Sequence, residues 1–128
     1  GGGVTLVNLS ANIKVDGSDS INAGRQILKN ALKQPFLQIT TNAGLNSEAL
    51  LAQVESAKFG YGINVNTPEK GLIDVKKDGV IDPTRVVKEA VQNAVSIAST
   101  ASTMGALVVD IPEEEKSMPA GMGGGMGY

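Results

Sequence analysis

The residue types that could bind a ligand are concentrated in three short stretches rich in Gly, Asn and Asp. One of them, GVIDPTRVV, spans residues 79–87 and places Asp82 directly before a proline and a helical pattern. Asp is a favoured helix N-cap, and proline at the first helical position loses no hydrogen bond. The pattern therefore predicts that Asp82 caps a helix, and by itself it favours the cap over a role in ligand binding.

The other two stretches are Gly1–Gly3, which precede a helical pattern, and GYGINVN at residues 60–66. Bare backbone N–H groups at a helix start can bind an anion or a sugar. The glycines are not a P-loop, because no Gly-Lys-Ser/Thr follows. A flexible end or a cloning scar explains them equally well. The Asn residues of the second stretch could read a nucleobase edge, or could simply tolerate the geometry of a tight loop.

Composition excludes several kinds of chemistry. The 128 residues include no Cys and no His, which excludes disulfides, a thiolate nucleophile, a Cys/His zinc site and imidazole acid–base catalysis. A net charge of −2 argues against nonspecific binding to nucleic acid or to an anionic membrane. No apolar run approaches the roughly 20 residues of a membrane helix. The thirteen acidic residues show no distinctive pair, so we predict no catalytic residue and no metal site.

The elements that must position these stretches are mainly helices. Apolar spacing and helix-stop signals predict five of them, with a turn at DGSDS, a C′ glycine at Gly44 and Pro35 as a helix breaker. Apolar and polar residues alternate only over short parts of GLIDVKKDGVID, so two short strands joined by a Lys-Lys-Asp-Gly turn are plausible there. Leu107–Val109 predict a further strand. The predicted helices are 4–15, from Asp19 or Ser20 to Lys33, 35–44, from Asn46 or Ser47 to about Val54, and 82–103.

The predicted architecture is a mainly α, multi-helical unit with a few short β-strands. The chain has the length of one domain or part of one. It begins GGGVTLVN without Met, which indicates a segment of a longer protein. Residues 112–128 are acidic, then rich in Gly and Met, and are expected to be disordered because they bury too little apolar surface.

Considered together, the stretches resemble the C-terminal part of the equatorial domain of group I chaperonins of the GroEL type. The likeness covers essentially the whole chain, in family order and at nearly family spacing. Residues 1–111 would be the C-terminal half of that ATP-binding domain, and 112–128 its tail. The matching landmarks are GGGVTLV, LKQPFLQITTNAG, GYGIN, GVIDPTRVV, the Ala-rich helix and the Gly-Met tail.

The resemblance implies a role in nucleotide binding for six residues. Gly2 matches the glycine beside the ribose and phosphates, and Asp82 the aspartate that binds the ribose hydroxyls. Val80 matches an apolar wall of the base pocket. The segment packed around adenine corresponds to Asn64, Val65 and Asn66, where the family usually has Asn-Ala-Ala. The connection around Lys76-Lys77-Asp78 also departs from the family pattern.

The resemblance also implies cofactors and partners. ATP or ADP would bind, with Mg and K ions whose ligands lie mostly outside this chain. The phosphate loop and the catalytic aspartate are likewise absent, so the chain alone is expected not to hydrolyse ATP. The intact protein would form a homo-oligomeric double ring, bind unfolded clients and a co-chaperonin lid, and be located in a bacterial cytoplasm or an organellar matrix. Neither nucleic acid nor membrane is expected as a partner.

Within such a ring, the 107–109 strand would pair with a neighbouring subunit and the tail would project into the cavity. The exposed edge and bare helix faces predict that the isolated chain self-associates. Two alternatives remain open. A stand-alone helical binding or scaffold module explains the helices but not the co-occurrence of the landmarks. A small nucleotide-using enzyme is disfavoured by the absence of His, Cys and a P-loop.

Overall fold

The structure, a computed structural model, describes residues 1–104 and is mainly helical, as the sequence predicts. Two short strands and one 3-10 turn interrupt the helices in the middle of the chain. In chain order the elements are α1 Val4–Ala11, α2 Asp19–Ala31, α3 Gln34–Asn42, α4 Ser47–Ser56, β1 Tyr61–Gly62, the 3-10 turn Pro68–Lys70, β2 Ile73–Asp74 and α5 Thr84–Met104.

The α3–α4 connection follows from its sequence. Gly44 has a φ of 74°, and the N–H groups of Gly44 and Leu45 donate to the carbonyls of Thr41 and Thr40 at 2.9 and 3.0 Å. This left-handed ending satisfies the last carbonyls of α3. Two residues later the side chain of Asn46 accepts a hydrogen bond from Ala49 N–H at 3.2 Å and caps α4. The predicted C′ glycine is confirmed, and of the two residues predicted as possible caps of α4, Asn46 and Ser47, Asn46 is the cap.

The core of residues 1–89 is small and aliphatic, with one aromatic ring. α1 contacts α2, α3 and α4, and α3 packs against α4. Phe36 is 1 % exposed and Val54 is fully buried, which anchors α3 and α4 to α1. The buried hydroxyls of Ser10 and Thr40 donate to backbone carbonyls of their own helices, so they do not oppose burial. The core cluster is Val4, Val7, Phe36, Leu51, Val54 and Val75.

The two strands pair antiparallel, with Tyr61 opposite Asp74 and Gly62 opposite Ile73. The predicted hairpin within residues 71–82 is therefore wrong, because the partner of β2 lies before the 3-10 turn. The Lys-Lys-Asp-Gly turn does form. The Oδ1 atom of Asp74 accepts hydrogen bonds from the N–H groups of Lys76 and Lys77, which bends the chain away directly after β2.

Two helix boundaries also differ from prediction. α1 ends at Ala11 rather than at residue 15, because Asn12 and Ile13 donate to the carbonyls of Leu9 and Ser10 in a tightened last turn. The predicted break at Pro35 is confirmed: the second helix ends before it, and Pro35 lies in the first turn of α3, where its missing N–H needs no partner. α2 ends at Ala31, slightly before the predicted Lys33.

The contacts divide the chain into a compact unit, Gly1–Glu89, and a second unit that begins at Ala90. The helix α5 runs across this boundary and, as predicted, is the longest described helix. None of the helices in residues 1–104 has the length and apolar character needed to cross a membrane. The predicted strand at 107–109, the 1–111 domain boundary and the 112–128 tail involve residues outside those described.

Candidate functional site

The glycine run forms the start of α1. Gly2 and Gly3 have φ values of 63° and 80°, in the left-handed region that glycine adopts without strain. This turn lets Val4 N–H reach the Gly1 carbonyl at 3.2 Å and Val7 N–H reach the Gly3 carbonyl at 3.1 Å. A Cβ added to Gly3 would lie 2.7 Å from the backbone nitrogen of Phe36, so α3 closes one side of the run.

The open side of the glycine run faces two other predicted parts of the site. A Cβ at Gly2 would lie 3.6 Å from Cγ1 of Val80 and 4.0 Å from the carbonyl oxygen of Ile63. Ile63 directly precedes Asn64, the first residue of the predicted adenine segment. The fold therefore brings Gly2, Val80 and the start of that segment together, although they are up to 78 positions apart in sequence.

Asp82 lies at the same place, but not as the predicted N-cap. The first hydrogen bond of α5 runs from Val87 N–H to the carbonyl of Pro83, which makes Pro83 the capping position and puts Asp82 one residue outside. Within the described residues its carboxylate forms no hydrogen bond to the first turn. It faces the amino group of Gly1 across 3.9 Å and remains about half exposed, at 51 %. Apart from this long ion pair, the carboxylate remains accessible from solvent.

The segment after β1 is a tight turn organised by Asn64. Its Oδ1 accepts the N–H of Asn66 at 3.0 Å, and its backbone carbonyl accepts the N–H of Thr67 at the same distance. Its Nδ2 donates to Oδ2 of Asp78 at 2.6 Å. Both polar atoms of the Asn64 side chain therefore have partners inside the chain. Val65 is half-buried and Asn66 exposed.

Asp78 is the charged residue of this region that sequence reasoning did not single out. Its Oδ1 lies 3.6 Å from the Nζ of Lys70, at the end of the 3-10 turn. The hydrogen bond from Asn64, together with the positive charge of Lys70, holds the pKa of Asp78 below its ordinary value of 3.8, against the opposing effect of desolvation. In sequence, Asp78 is only a residue of a Lys-Lys-Asp-Gly turn, so no local pattern marks it.

The arrangement can accept a neutral polar ligand with an apolar face. One wall is aliphatic, from Val80; one hydrogen-bonding carboxylate, Asp82, stands beside it; and the bare backbone at Gly2 permits close approach. Among residues 1–104, no group of three acidic, His or Cys side chains is placed to hold a metal ion.

Comparison with known proteins assigns the family. The model of the TCP-1/cpn60 chaperonin family matches residues 1–110, which is most of the chain. The chain belongs to the TCP-1/cpn60 chaperonin family, and the resemblance drawn from its landmarks is confirmed at that level. Membership gives the protein a chaperonin-related function.

Proposed function

We propose that this chain is the C-terminal part of the ATP-binding equatorial domain of a group I chaperonin, and that it supplies the adenosine side of the nucleotide site. The proposal is carried by one observation. The start of the chain at Gly1 and Gly2, the stretch from Val80 to Asp82 and the turn that begins at Asn64 are separate in sequence and adjacent in the fold. A scaffold module without a nucleotide site would not be expected to bring together the residues that the family resemblance assigns to one ligand.

Each residue has chemistry that suits an adenosine. The exposed carboxylate of Asp82 is an acceptor, which matches the two donor hydroxyls of a ribose. The aliphatic side chain of Val80 offers a flat purine an apolar contact. The absence of a Cβ at Gly2 leaves room for the sugar and the first phosphate against the backbone. Val65 and Asn66 differ from the Ala-Ala that the family usually has here. Their backbone groups can still contact the edge of the base, because backbone contacts do not depend on the side chain.

The described residues do not provide for the phosphates or their metal. Bound Mg²⁺ neutralises phosphate charge during ATP hydrolysis, and its ligands are oxygen atoms, usually carboxylates. No carboxylate cluster accompanies Asp82 within the described part of the chain. We infer that the phosphate loop, the Mg and K ligands and the catalytic aspartate belong to a preceding segment, and that this chain alone does not hydrolyse ATP. Chelator-sensitive turnover by the purified chain would refute that.

The wider activity follows from the family. We propose a homo-oligomeric double ring that uses ATP to enclose and fold unfolded clients with a co-chaperonin lid, in a bacterial cytoplasm or an organellar matrix. An ATP-linked change in ring assembly, followed by light scattering, tests this part independently of the site.

The site itself is tested by titrating ADP into the full-length protein and its Asp82→Ala variant. Loss of the ribose hydrogen bonds should weaken binding by about 1–3 kcal/mol, or about 5- to 150-fold in Kd. The matched control is Asp16→Ala, which also removes an exposed carboxylate; its partner among the described residues is Arg25. Equal affinities for Asp82→Ala and the wild type would remove Asp82 from the site.

A further inference from the structure

Asp78 connects the two halves of the candidate site. Its carboxylate reaches Asn64 at the beginning of the turn and Lys70 at the end of the following 3-10 turn, at 2.6 and 3.6 Å. The backbone of Asp78 is itself fixed, because its N–H donates to the carbonyl of Asp74 at 3.1 Å. One side chain thus holds both ends of the segment 64–70 against the turn that follows β2.

That turn leads directly to the apolar wall. Val80 follows Asp78 by two residues, and its N–H donates to the carbonyl of Val75 at 2.8 Å. The distance between the base-contacting segment and Val80 is therefore set by the Asn64–Asp78 hydrogen bond at one end and by β2 at the other. The adjoining strands pair over only two residues each, so the contacts of Asp78 with Asn64 and Lys70 are the side-chain contacts that hold the segment 64–70 against the turn after β2.

We propose that Asp78 is a positioning residue for the nucleotide site, holding the Asn64–Asn66 segment at the correct distance from Val80. The role rests on the proposed adenosine-binding function. It has a corollary for Asn64. Because its side chain is engaged by Asp78 and by Asn66 N–H, Asn64 shapes the turn and the base is met by backbone groups.

The direction in which Asp78→Ala changes the affinity for ADP distinguishes a positioning role from a purely electrostatic effect. Asp78 is negatively charged, and its pKa is held below the ordinary value, so it stays ionised at neutral pH. Removing an acidic residue near an anionic ligand should, through charge alone, strengthen binding. Loss of a positioning contact predicts the opposite. Asp78→Ala should raise the Kd for ADP about three- to tenfold in the full-length protein.

The control for charge is Glu69→Ala, which removes an exposed acid from the same segment. The Glu69 side chain forms no ion pair or hydrogen bond with the described residues. This variant should bind ADP as well as, or slightly better than, the wild type. In ATP turnover, Asp78→Ala should raise KM and leave kcat nearly unchanged, because the contact lies at the adenosine end and not at the reacting phosphate.

A double-mutant cycle tests the link to Asn64. Asn64→Ala removes both this hydrogen bond and the one from Asn66 N–H, so it should weaken ADP binding at least as much as Asp78→Ala. If Asp78 acts through Asn64, adding Asp78→Ala to Asn64→Ala should cause little further loss. Fully additive losses would mean that Asp78 acts independently of Asn64, and would overturn the positioning role. The exchange Asn64→Asp combined with Asp78→Asn reverses donor and acceptor and should restore most of the affinity, whereas Asn64→Asp alone places two carboxylates together and should not.

The outcomes distinguish the two proposals. Hydrogen exchange across residues 64–70, measured by mass spectrometry, should be faster in Asp78→Ala than in Glu69→Ala. If the wild type binds ADP and Asp78→Ala binds it equally well, the positioning role is overturned and the proposed function stands. If the wild type binds no ADP, the proposed function fails, and this role fails with it.

Discussion

Substituting Ala for Gly3 tests how tightly α3 closes on the start of α1, and a second glycine provides the reference. Gly3 and Gly44 have similar positive φ values, 80° and 74°. An L-residue in this region costs roughly 1–2 kcal/mol relative to glycine. The surroundings differ. A Cβ at Gly44 meets no atom within 4 Å, whereas one at Gly3 would lie 2.7 and 2.8 Å from the backbone N and Cα of Phe36.

Gly44→Ala should therefore show backbone strain alone, about 1–2 kcal/mol. Gly3→Ala adds the displacement of a buried helix start, for which overpacking typically costs about 1–3 kcal/mol. Its total loss of about 2–5 kcal/mol is a large share of the roughly 5–15 kcal/mol by which domains are stable. Phe36 cannot move aside easily, because its side chain is in the core.

Urea unfolding followed by far-ultraviolet circular dichroism measures the difference. With an m-value of roughly 1–3 kcal/mol/M, the midpoint for Gly3→Ala should lie about 1 M below that of Gly44→Ala. Equal midpoints would refute the close approach of Gly3 to Phe36, whereas a larger loss at Gly44 would place the tight contact in the α3–α4 turn instead.

Three further predictions concern charge, capping and exposed surface. Asn64→Ala removes the largest cause of the lowered pKa of Asp78, so carboxyl carbon NMR should show that pKa rising toward 3.8. A lowered carboxyl pKa stabilises the folded protein above the ordinary pKa, and this stabilisation is lost as the pH falls through the folded-state pKa. The variant should therefore lose the pH-dependent stabilisation that ionised Asp78 provides. Asn46→Ala should destabilise the protein by about 0.5–2 kcal/mol, since Ala49 N–H loses its acceptor, and an unchanged unfolding midpoint would contradict the cap. Sedimentation should show concentration-dependent self-association of the isolated chain, because Ile27 and Phe59 are 70 % and 73 % exposed; a well-behaved monomer would count against it.

Local signals predicted the elements whose causes are local. Gly44 and Asn46 act within a few residues of themselves, through a left-handed turn and a side-chain cap; Gly44 was predicted from the sequence, and Asn46 was one of two predicted caps. Helix ends were less accurate. Pro35 correctly marked the break between the second and third helices, but the last residues of α1 and α2 lie a few positions before those predicted.

The pairing of β1 with β2 could not be predicted, because strands of two residues are too short to show an alternation of apolar and polar residues. Gly62 supplies no side chain to alternate, yet it is buried against Val4 and Val75. Its close contact with α1 depends on the whole fold. The same limit explains Asp78, whose bond to Asn64 spans fourteen positions and is invisible to any local rule.

The candidate site was predicted residue by residue through resemblance, and not through its local chemistry. Gly2, Val80 and Asp82 each have an ordinary structural explanation when considered alone. The fold adds their proximity, and it corrects the reason for Asp82. Because Asp82 lies one residue outside the helix cap, its carboxylate is not used to cap α5 and is accessible to a ligand.

The most direct test of the central claim is to locate the base on the full-length protein. Photolabelling with 2-azido-ADP, followed by peptide mapping, identifies the residues beside the purine. We predict saturable labelling, abolished by excess ADP, in peptides that contain the segment 64–66 or Val80. Saturable labelling confined to other parts of the protein, or none that ADP displaces, would contradict the account.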